Sequence, residues 1–505
     1  MVPHRGTKLV KITLGAIVLL AVSCPLAVAM YLGANESVPS SPVLALSTTV
    51  RIVSRATPLP GTTNGIHIAI PFDYCYTSVS PDCRSYYGKL SSLVGRVDLI
   101  WGATQPRVNP SIKTLYYLPF DVDAQSRGGT QDLAKNTGYE AFVSSGHADW
   151  LVFKGGVNSK GQRDCSVPPR VFDSHGNFDT LKVNQNLAWV TFSTNPQIGH
   201  IPLDITNPGV IGYEMYGAGG VPGTITPSVE SVLHAGYNGI AVDSMFFTNP
   251  FNRCGVFRRV HNSWHWTPLY TAKRTYQDTV THWLAAIYKD AKKLNRKALV
   301  AVNFDAPDVT YVRPLLPYFD VVFDERALTN YGSSYPSGYP ADSDWQARMQ
   351  IIETVERAGR GIILDNEIQG ASENQLPERP ILWTLANYLL VKRKHAYVYI
   401  SFTNVSRTIQ HYGRFYDRPE YHIPIGNSVD QMHQVGTSGC YARRYSGGMV
   451  FVNPTSNQTC RVNLGKPYNE VTGHAGKAIT TSRVSGSIEV RPVTGLVLLS
   501  VRHGR

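Results

Sequence analysis

Short runs of branched aliphatic residues recur along the chain, and several of them end abruptly in a carboxylate. The clearest examples are Gly239–Asp243, Val321–Glu325 and Gly361–Asp365. A short, continuous apolar run of this kind indicates a parallel strand that is buried on both faces. Because an unpaired carboxylate is too costly to bury inside such a strand, it marks the point where the strand ends. The pattern therefore predicts parallel strands whose carboxyl ends carry acidic side chains.

Amphipathic segments alternate with these apolar runs. Between 276 and 294 the apolar residues recur at spacings of three and four, which is typical of a helix with one buried face. Similar patterns predict further helices over 227–235, 308–316, 345–358 and 379–393. Candidate strands begin near 65, 97, 114, 239, 298, 321, 362 and 397. Only the second and third of these strands are too close together for a helix between them.

Alternating strands and helices are typical of a parallel α/β sheet, and eight strands suit a closed (β/α)8 barrel. Since the carboxyl ends of barrel strands share one rim, several carboxylates should converge there. An open doubly wound sheet is the alternative. That fold favours a glycine-rich phosphate-binding turn after the first strand, where this chain has Pro71–Tyr74. The sequence therefore favours the barrel.

The sequence pattern changes near residue 425, where short candidate strands separated by turns replace the alternation of strands and helices. The segment Tyr441–Pro454 has the pattern of a hairpin with a Gly447-Gly448 turn. We predict a small C-terminal antiparallel β-sandwich over 425–505, after a barrel over 61–424. Residues 35–60 are rich in Ser, Thr and Pro, which is typical of a linker.

The N-terminal 34 residues have the pattern of a targeting segment. His4, Arg5, Lys8 and Lys11 precede an uncharged, mostly apolar stretch over 12–34. This stretch is long enough to span a bilayer, which indicates a signal anchor. Cleavage after Ala27–Ala29 is the alternative, and it would make the segment a signal peptide. Either interpretation predicts an extracellular or cell-surface protein, with membrane anchoring favoured slightly.

Seven cysteines occur, and six of them lie beyond the targeting segment. No pair has the CxxC spacing of a zinc or redox site. The even number fits disulfide bonds in an exported protein. Proximity in sequence suggests the pairs Cys75–Cys83 and Cys440–Cys460, which leaves Cys165 with Cys254, although six cysteines allow 15 pairings.

The net charge of +12 does not indicate nucleic-acid binding, because the basic residues are scattered rather than gathered in a run or on one helix face. Charged residues make up only 17% of the chain, and 28 tyrosines are present. HExxH, GxSxG, Walker and GxGxxG motifs are all missing from the sequence, which disfavours metalloprotease, esterase and nucleotide-binding functions. We predict no cofactor, no metal ion and no nucleic-acid partner.

Four segments together resemble glycoside hydrolase barrels: Gly239–Asp243, Phe323–Glu325, Gly361–Glu367 and Tyr441–Pro454. More narrowly, they are similar to glycoside hydrolase-like families related to the α-galactosidase, α-amylase and polygalactosaminidase group. The resemblance covers roughly residues 65–500. It implies a barrel with a C-terminal β-sandwich, a nucleophilic role for Asp243 at the end of the fourth strand, and a general-acid role for Glu325 after the sixth.

The chemistry of glycoside hydrolysis agrees with this resemblance, since it requires two carboxylates across the scissile bond. Asp324 competes with Glu325 for the acid role, because strand alternation turns only one of them inward. The predicted substrate-binding residues are other acids near strand ends and two loop tryptophans: Asp73, Asp121, Asp305, Asp365, Glu367, Trp264 and Trp266. The aromatic residues of loop 244–268 could also surround the acid and raise its pKa.

These observations predict an exported glycoside hydrolase of the α-specific, retaining type that acts on a polysaccharide or oligosaccharide. The alternative is a non-catalytic carbohydrate-binding protein of the cell envelope on the same barrel. A metal-dependent hydrolase ranks lower, because few histidines lie at strand ends. A close pair of carboxylates at the rim would separate the first hypothesis from the second.

Overall fold

Eight parallel strands form one sheet in the computed structural model, in the same order as they occur along the chain. We number them β1 Ala69–Ile70, β2 Leu99–Ile100, β3 Lys113–Pro119, β4 Gly239–Asp243, β5 Leu299–Asn303, β6 Val321–Asp324, β7 Gly361–Gln369 and β8 Ala396–Thr403. The sheet closes where Ile68 bridges Val398 of β8 in parallel. The Val398 amide donates to the His67 carbonyl at 2.9 Å. The predicted eight-stranded barrel is confirmed.

The structure describes residues 59–61, 65–71, 93–106, 110–119, 122–123, 137–191, 199–217, 227–243, 245, 248–249, 251–271, 274–372, 375–403 and 415–501. The predicted targeting segment, most of the linker, the Cys75–Cys83 pair, Asp73 and Asp121 lie outside these residues. Among the described helices, none has the length and apolar character that crossing a membrane requires.

Helices lie where the amphipathic patterns predict them. They are Val229–His234, Tyr276–Leu294, Val309–Val312 with the following 3-10 segment Arg313–Tyr318, Asp342–Arg357 and Glu378–Val391. A capping box starts the longest: the Thr275 hydroxyl accepts from the Asp278 amide, and the Asp278 carboxylate accepts from the Thr275 amide. The described residues between β2 and β3 contain only turns, as the short spacing predicts.

Strand alternation divides the barrel residues between two apolar layers. The inner layer fills the barrel with Ala241 of β4, Ala301 of β5, Phe323 of β6 and Ile363 of β7, among others. The outer layer packs their neighbours along each strand against the helices. The interior is therefore a packed core at this level, so any cleft must lie beyond it, toward the carboxyl ends of the strands.

A long insertion follows β3 and builds its own aromatic core. Its helices are Thr137–Ser144, Thr180–Asn186 and Pro208–Tyr216 with the 3-10 turn Ala148–Trp150, and its strands are Val122–Asp123, Gly156–Val157, Arg163–Asp164, Val190–Thr191 and Gly199–Pro202. The Cys165–Cys254 disulfide joins this insertion to the segment after β4. This confirms the predicted pairing.

The segment after β4 corrects one prediction. We expected a loop over 244–268, but the structure forms an antiparallel hairpin of Gly255–Val260 and Ser263–Pro268. Phe257, Trp264 and Trp266 share one face of this hairpin, since Phe257 pairs with Trp266 and side chains two apart on a strand point the same way. The predicted loop is wrong because the aromatic core of the insertion supplies a surface on which these strands can pack.

Antiparallel strands close the chain, as predicted. One sheet contains His433–Gln434, Tyr441–Tyr445, Gly448–Asn453, Thr494–Ser500, Tyr468–Ala475 and Ala478–Val484, and a second sheet pairs Cys460–Asn463 with Ser487–Val490. The predicted Cys440–Cys460 disulfide is confirmed. Helix Glu378–Val391 lies between the barrel and the larger sheet, and almost every one of its residues is buried. An apolar surface around the whole circumference is what such a position requires.

The Tyr-x-Arg-x-Tyr segment of the C-terminal sheet has a structural role at this junction. Arg443 donates to the carbonyls of Leu389 and Lys392, and the Tyr445 hydroxyl donates to that of Leu389. The last carbonyls of a helix have no partners within the helix, so these side chains satisfy them. The motif that resembles glycosidase sandwiches therefore fastens the sheet to the barrel.

Candidate active site

Polar side chains form the first interior layer beyond the apolar core. Asp243, Asn303, Glu325 and Asp365 each come two residues after an inner-layer residue of strands β4, β5, β6 and β7. Because side chains two apart on a strand share a face, all four point toward the barrel axis. Four neighbouring strands thus bring three carboxylates and one amide together at the carboxyl-terminal rim, where barrel enzymes place their active sites.

Asn303 joins two of these carboxylates. Its Nδ2 donates to Asp243 Oδ1 at 2.6 Å and to Glu325 Oε1 at 3.0 Å. The two oxygens share one donor atom, so their separation cannot exceed the sum of these bonds, which is less than about 6 Å. The residues that the sequence predicts as nucleophile and acid therefore face each other across a short gap.

Asp243 has a second donor on its other oxygen. The Tyr117 hydroxyl, on the inward face of β3, donates to Asp243 Oδ2 at 2.7 Å. Donors on both oxygens fix the orientation of the carboxylate and give its charged form a partner on each side. Asp243 is also partly accessible to solvent, so a substrate can reach it.

Burial raises the pKa of Glu325 to about 8, and the negative charge of Asp243 adds to this effect. Glu367 and Asp305 contribute in the same direction, while the hydrogen bond from Asn303 opposes it. A carboxyl group in this environment keeps its proton at neutral pH and can donate it. Glu325 is partly accessible, so that proton can be given to a bound molecule.

Asp324, the competing acid, points away from the barrel axis. It is buried against helix Asp342–Arg357, where Arg348 Nη1 lies 3.5 Å from its Oδ2. Its Oδ1 accepts from the amides of Arg326 and Ala327 at 3.1 and 3.0 Å. Asp324 is therefore a turn-stabilising ion-pair partner, and of the two neighbouring acids it is Glu325 that the strand register turns toward the barrel axis.

Asp305 lies beside the pair but is held by a tyrosine hydroxyl and a guanidinium group. The Tyr331 hydroxyl donates to its Oδ2 at 2.5 Å, and Arg348 Nη2 donates to Oδ1 at 3.3 Å. Burial raises the pKa of Asp305, with the Asp324 charge as the second cause. Its side chain remains about one-third exposed, at 31%. Asp305 can still offer an oxygen to a substrate hydroxyl, as the sequence predicts.

Asp365 and Glu367 lie on the inward face of β7 and are both buried. The prediction that this strand ends at Asp365 is wrong, because the strand continues to Gln369. Glu367 is close enough to Glu325 to raise its pKa. Gly332 packs over Glu367: a Cβ at this glycine would lie 3.0 Å from Glu367 Cβ and 2.6 Å from a methyl of Thr403. The loop after β6 therefore covers this side of the layer, and a side chain at position 332 would displace it.

Trp264 and Trp266 lie in the insertion core rather than beside the carboxylates. Trp264 packs on Phe178 with ring centroids 5.0 Å apart, and Trp266 packs on Phe257 at 5.1 Å. The Trp266 indole also donates to the Cys165 carbonyl at 2.9 Å. Their contacts are those of packing residues, and the structure does not bring them to the acid pair.

Asn303 and Tyr117 are site residues that the sequence pattern did not single out. One signal could have found Asn303: Ala301-Val302-Asn303 repeats the end of β4, Ala241-Val242-Asp243, with the amide in place of the carboxylate. Two neighbouring strands that end alike place their last residues side by side. Tyr117 stands two residues after the inward Leu115, but nothing in the sequence distinguishes it from the other tyrosines, of which the chain has 28 in all.

The rim thus carries a partly accessible carboxylate, a protonated carboxyl less than about 6 Å away, and fixed donors between and behind them. Such a pair can attack an electrophilic carbon with one group and protonate a leaving group with the other. Among the described residues, one group of side chains lies close enough together to hold a metal ion. It is at the junction of the barrel with the C-terminal sheet and is not part of this polar layer.

Residues 225–449 match the family model described as "Hypothetical glycosyl hydrolase family 15", which covers β4 to β8 and the start of the C-terminal sheet. No curated protein matches the chain. Among solved structures, Eubacterium rectale Amy13B is similar over 88% of this chain and 98% of its own, with 9% identity and a TM-score of 0.44. An Anoxybacillus α-amylase is similar over 88% and 99%, with 11% identity and a TM-score of 0.39. A GH27 β-L-arabinopyranosidase from Geobacillus stearothermophilus is similar over 78% of this chain and 75% of its own, with 9% identity and a TM-score of 0.35.

Proposed function

We propose that this glycoside hydrolase cleaves a polysaccharide or oligosaccharide with retention of the anomeric configuration. Asp243 is the nucleophile, and Glu325 acts first as the acid and then as the base. The single observation that carries the proposal is the shared donor, Asn303 Nδ2, which holds one oxygen of each carboxyl group at 2.6 and 3.0 Å.

The separation favours retention over inversion. An inverting enzyme needs room for a water molecule, and its two carboxyl groups stand about 6.5–9.5 Å apart. A retaining enzyme brings them to about 5–5.5 Å, because one of them attacks the sugar directly. The limit of less than about 6 Å set by the Asn303 bridge fits the second case.

In a retaining mechanism Glu325 must act first as an acid and then as a base, and the charges at the site account for this change. While Asp243 is ionised, its charge helps to keep Glu325 protonated, so that Glu325 can protonate the leaving oxygen. Attack by Asp243 forms a glycosyl ester and removes that charge. The pKa of Glu325 then falls, and the carboxylate can take a proton from the water that cleaves the ester. The proton from this water restores the acid, and release of the sugar restores the Asp243 carboxylate.

We also propose that the enzyme is exported and tethered to the membrane. The uncharged stretch over 12–34, preceded by four basic or titratable residues, supports a signal anchor. The disulfides Cys165–Cys254 and Cys440–Cys460 are consistent with an oxidising environment. Protease treatment of intact cells should remove the barrel while leaving cytoplasmic proteins intact.

A substrate screen with product stereochemistry tests the proposed reaction. The panel contains α- and β-linked polysaccharides, including amino-sugar polymers, and hydrolysis is followed by the appearance of reducing ends. Proton NMR within the first minutes then identifies the anomer formed before mutarotation, and we expect it to match the substrate. The opposite anomer would contradict retention. Glycan binding without hydrolysis, unchanged in Asp243→Asn, would instead support a non-catalytic carbohydrate-binding protein.

Replacing Asn303 with leucine should lower kcat by about 10²–10³-fold, the usual cost of one preorganised donor. Leucine has a similar size but cannot donate to either carboxylate. Since the Asn303 hydrogen bond lowers the pKa of Glu325, its loss should move the alkaline limb of the pH–rate profile upward from about 8. Circular dichroism would check folding. A lowered kcat with an unmoved alkaline limb would contradict the positioning role of Asn303.

A further inference from the structure

Three side chains from three separate elements meet where the barrel joins the C-terminal sheet. Glu378 is the first residue of helix Glu378–Val391, Glu420 lies in the 3-10 turn Pro419–His422 after β8, and His474 lies on strand Tyr468–Ala475. His474 Nδ1 is 2.5 Å from Glu420 Oε1 and 3.1 Å from Glu378 Oε1. One ligand atom of each residue lies within 4.8 Å of the other two.

The cluster has too few hydrogen-bond donors for its acceptors. Glu420 is fully buried, and its Oε2 has no hydrogen-bond partner among the described residues. Glu378 Oε2 is also buried and also has no hydrogen-bond partner among the described residues. The one hydrogen that Nδ1 can carry serves two facing oxygens, although the His474 amide also supports Glu378 and Arg418 adds a nearby positive charge. Buried carboxylate oxygens without donors are expensive, which points to a cation as the absent partner.

The backbone is shaped to let the carboxyl group approach. Gly473, next to His474, has φ +138°, which L side chains rarely adopt. A Cβ at this position would lie 2.6 Å from Glu378 Cδ and 3.0 Å from its Oε1. Any other residue would push Glu378 out of the cluster, so the glycine serves the convergence of the three side chains as well as the bend of the strand.

We propose that Glu378, Glu420 and His474 bind a divalent transition metal ion, best matched by Zn²⁺, which fastens the C-terminal sheet to the barrel. One imidazole nitrogen with two carboxylates is a donor set that Zn²⁺ accepts, and a water molecule can complete a tetrahedron. With bonds of about 2.0–2.1 Å, neighbouring tetrahedral ligands stand about 3.4 Å apart. The Glu378 contact already fits, and the Glu420 contact needs to lengthen by less than about 1 Å. His474 and Glu378 are partly accessible, which gives the ion a path of entry.

Metal binding to the purified full-length protein tests this inference. After chelator treatment and dialysis, we expect isothermal titration with Zn²⁺ to show one equivalent bound and calorimetry to show a higher Tm. His474→Gln and Glu378→Gln should each weaken binding by more than about 100-fold and remove the Tm increase. His433→Gln changes an exposed histidine of the same sheet and should leave both unchanged. Because buried Glu420 can be needed for folding, the conclusion depends on the two other variants.

Two results would overturn the inference. One is binding of Zn²⁺ that His474→Gln leaves intact, which would place the ion elsewhere. The other is the absence of Zn²⁺ binding by the wild type, which would leave the imidazole of His474 as a hydrogen-bonding partner of the two carboxyl groups rather than a metal ligand. The inference does not rest on the hydrolytic mechanism, so hydrolysis can be lost or retained independently of either result.

Discussion

Replacing Asp243 with asparagine should reduce kcat on the order of 10⁴-fold or more, the scale at which removal of a covalent nucleophile acts. The amide is nearly isosteric with the carboxylate but is a poor nucleophile, so the glycosyl ester cannot form. Folding should be preserved, because the new carbonyl oxygen can accept from Asn303 and the new amino group can donate to the Tyr117 hydroxyl. The measurement is kcat and kcat/KM on a substrate identified in the screen.

Three readouts separate a lost nucleophile from a damaged fold. Mass spectrometry after acid quenching should detect one glycosyl unit on the wild type and none on Asp243→Asn. Azide or formate should partly restore turnover in Asp243→Ala, since a small anion can occupy the vacated space. Asp290→Asn, on the outer face of helix Tyr276–Leu294, should retain full activity as the matched control. A glycosyl adduct that persists in Asp243→Asn would assign the nucleophile to another carboxylate.

The same variant reports on the coupling between the two acids. Since the Asp243 charge raises the pKa of Glu325, its removal should lower that pKa, and the alkaline limb of any residual activity should move to lower pH. This shift is opposite in direction to the one expected for Asn303→Leu. A pair of variants that move one titration in opposite directions would identify the titrating group as Glu325.

The barrel could be predicted from sequence because its strands carry their own signal. A strand buried on both faces needs a continuous apolar run, and β4 to β8 all show one that ends in polar residues. Only the register seen in the structure shows which of Asp324 and Glu325 faces inward. Phe323 lies in the inner layer, so Glu325 shares its face and Asp324 points toward Arg348. Sequence alone could not choose, because a one-residue change of register exchanges the two.

The insertion and the hairpin after β4 could not be predicted in the same way. Their strands are short and amphipathic at best, and they fold on a surface provided by residues far away in the chain. Trp264 and Trp266 illustrate the problem, because an aromatic residue between strands has the same pattern whether it packs on Phe178 and Phe257 or stacks on a sugar. Contacts with distant residues decide between these roles, and periodicity does not record them.

The acid pair shows which part of a site sequence can supply. Carboxylates at strand ends are visible as interruptions of apolar runs, which made Asp243 and Glu325 candidates, while the resemblance to glycoside hydrolase barrels supplied the roles predicted for them. Asn303 also ends an apolar run, but an uncharged amide does not indicate catalysis by itself, and its role appears only when neighbouring strands are aligned. Tyr117 lies within its strand and marks no strand end. Glu378, Glu420 and His474 are farther beyond sequence reasoning, since no metal-binding spacing links residues on three separate elements.

Replacing Glu325 with glutamine should slow hydrolysis of unactivated glycosides by about 10²–10⁴-fold, the usual contribution of a general acid. Glutamine keeps the acceptor for Asn303 if its amide turns, but it cannot protonate the leaving oxygen. The wild type should lose activity as pH rises through about 8, because ionised Glu325 has no proton to donate. Glu325→Gln should lack this alkaline limb, since the group that titrates is gone. Glu489→Gln, on the exposed C-terminal sheet, is the matched control.

Substrates with different leaving groups test directly whether Glu325 is the general acid. An aryl glycoside with a very acidic phenol leaves without protonation, so Glu325→Gln should still form the glycosyl ester with it at nearly the wild-type rate. Release of the sugar should then become slow, because no base activates the water, and a burst of phenol should precede a slow steady state. Azide should accelerate that steady state, since an anion needs no base. Equal losses on acidic and basic leaving groups would show that Glu325 supports the site rather than transferring the proton, and would move the acid role to Asp305 or Glu367, whose charges already act on Glu325.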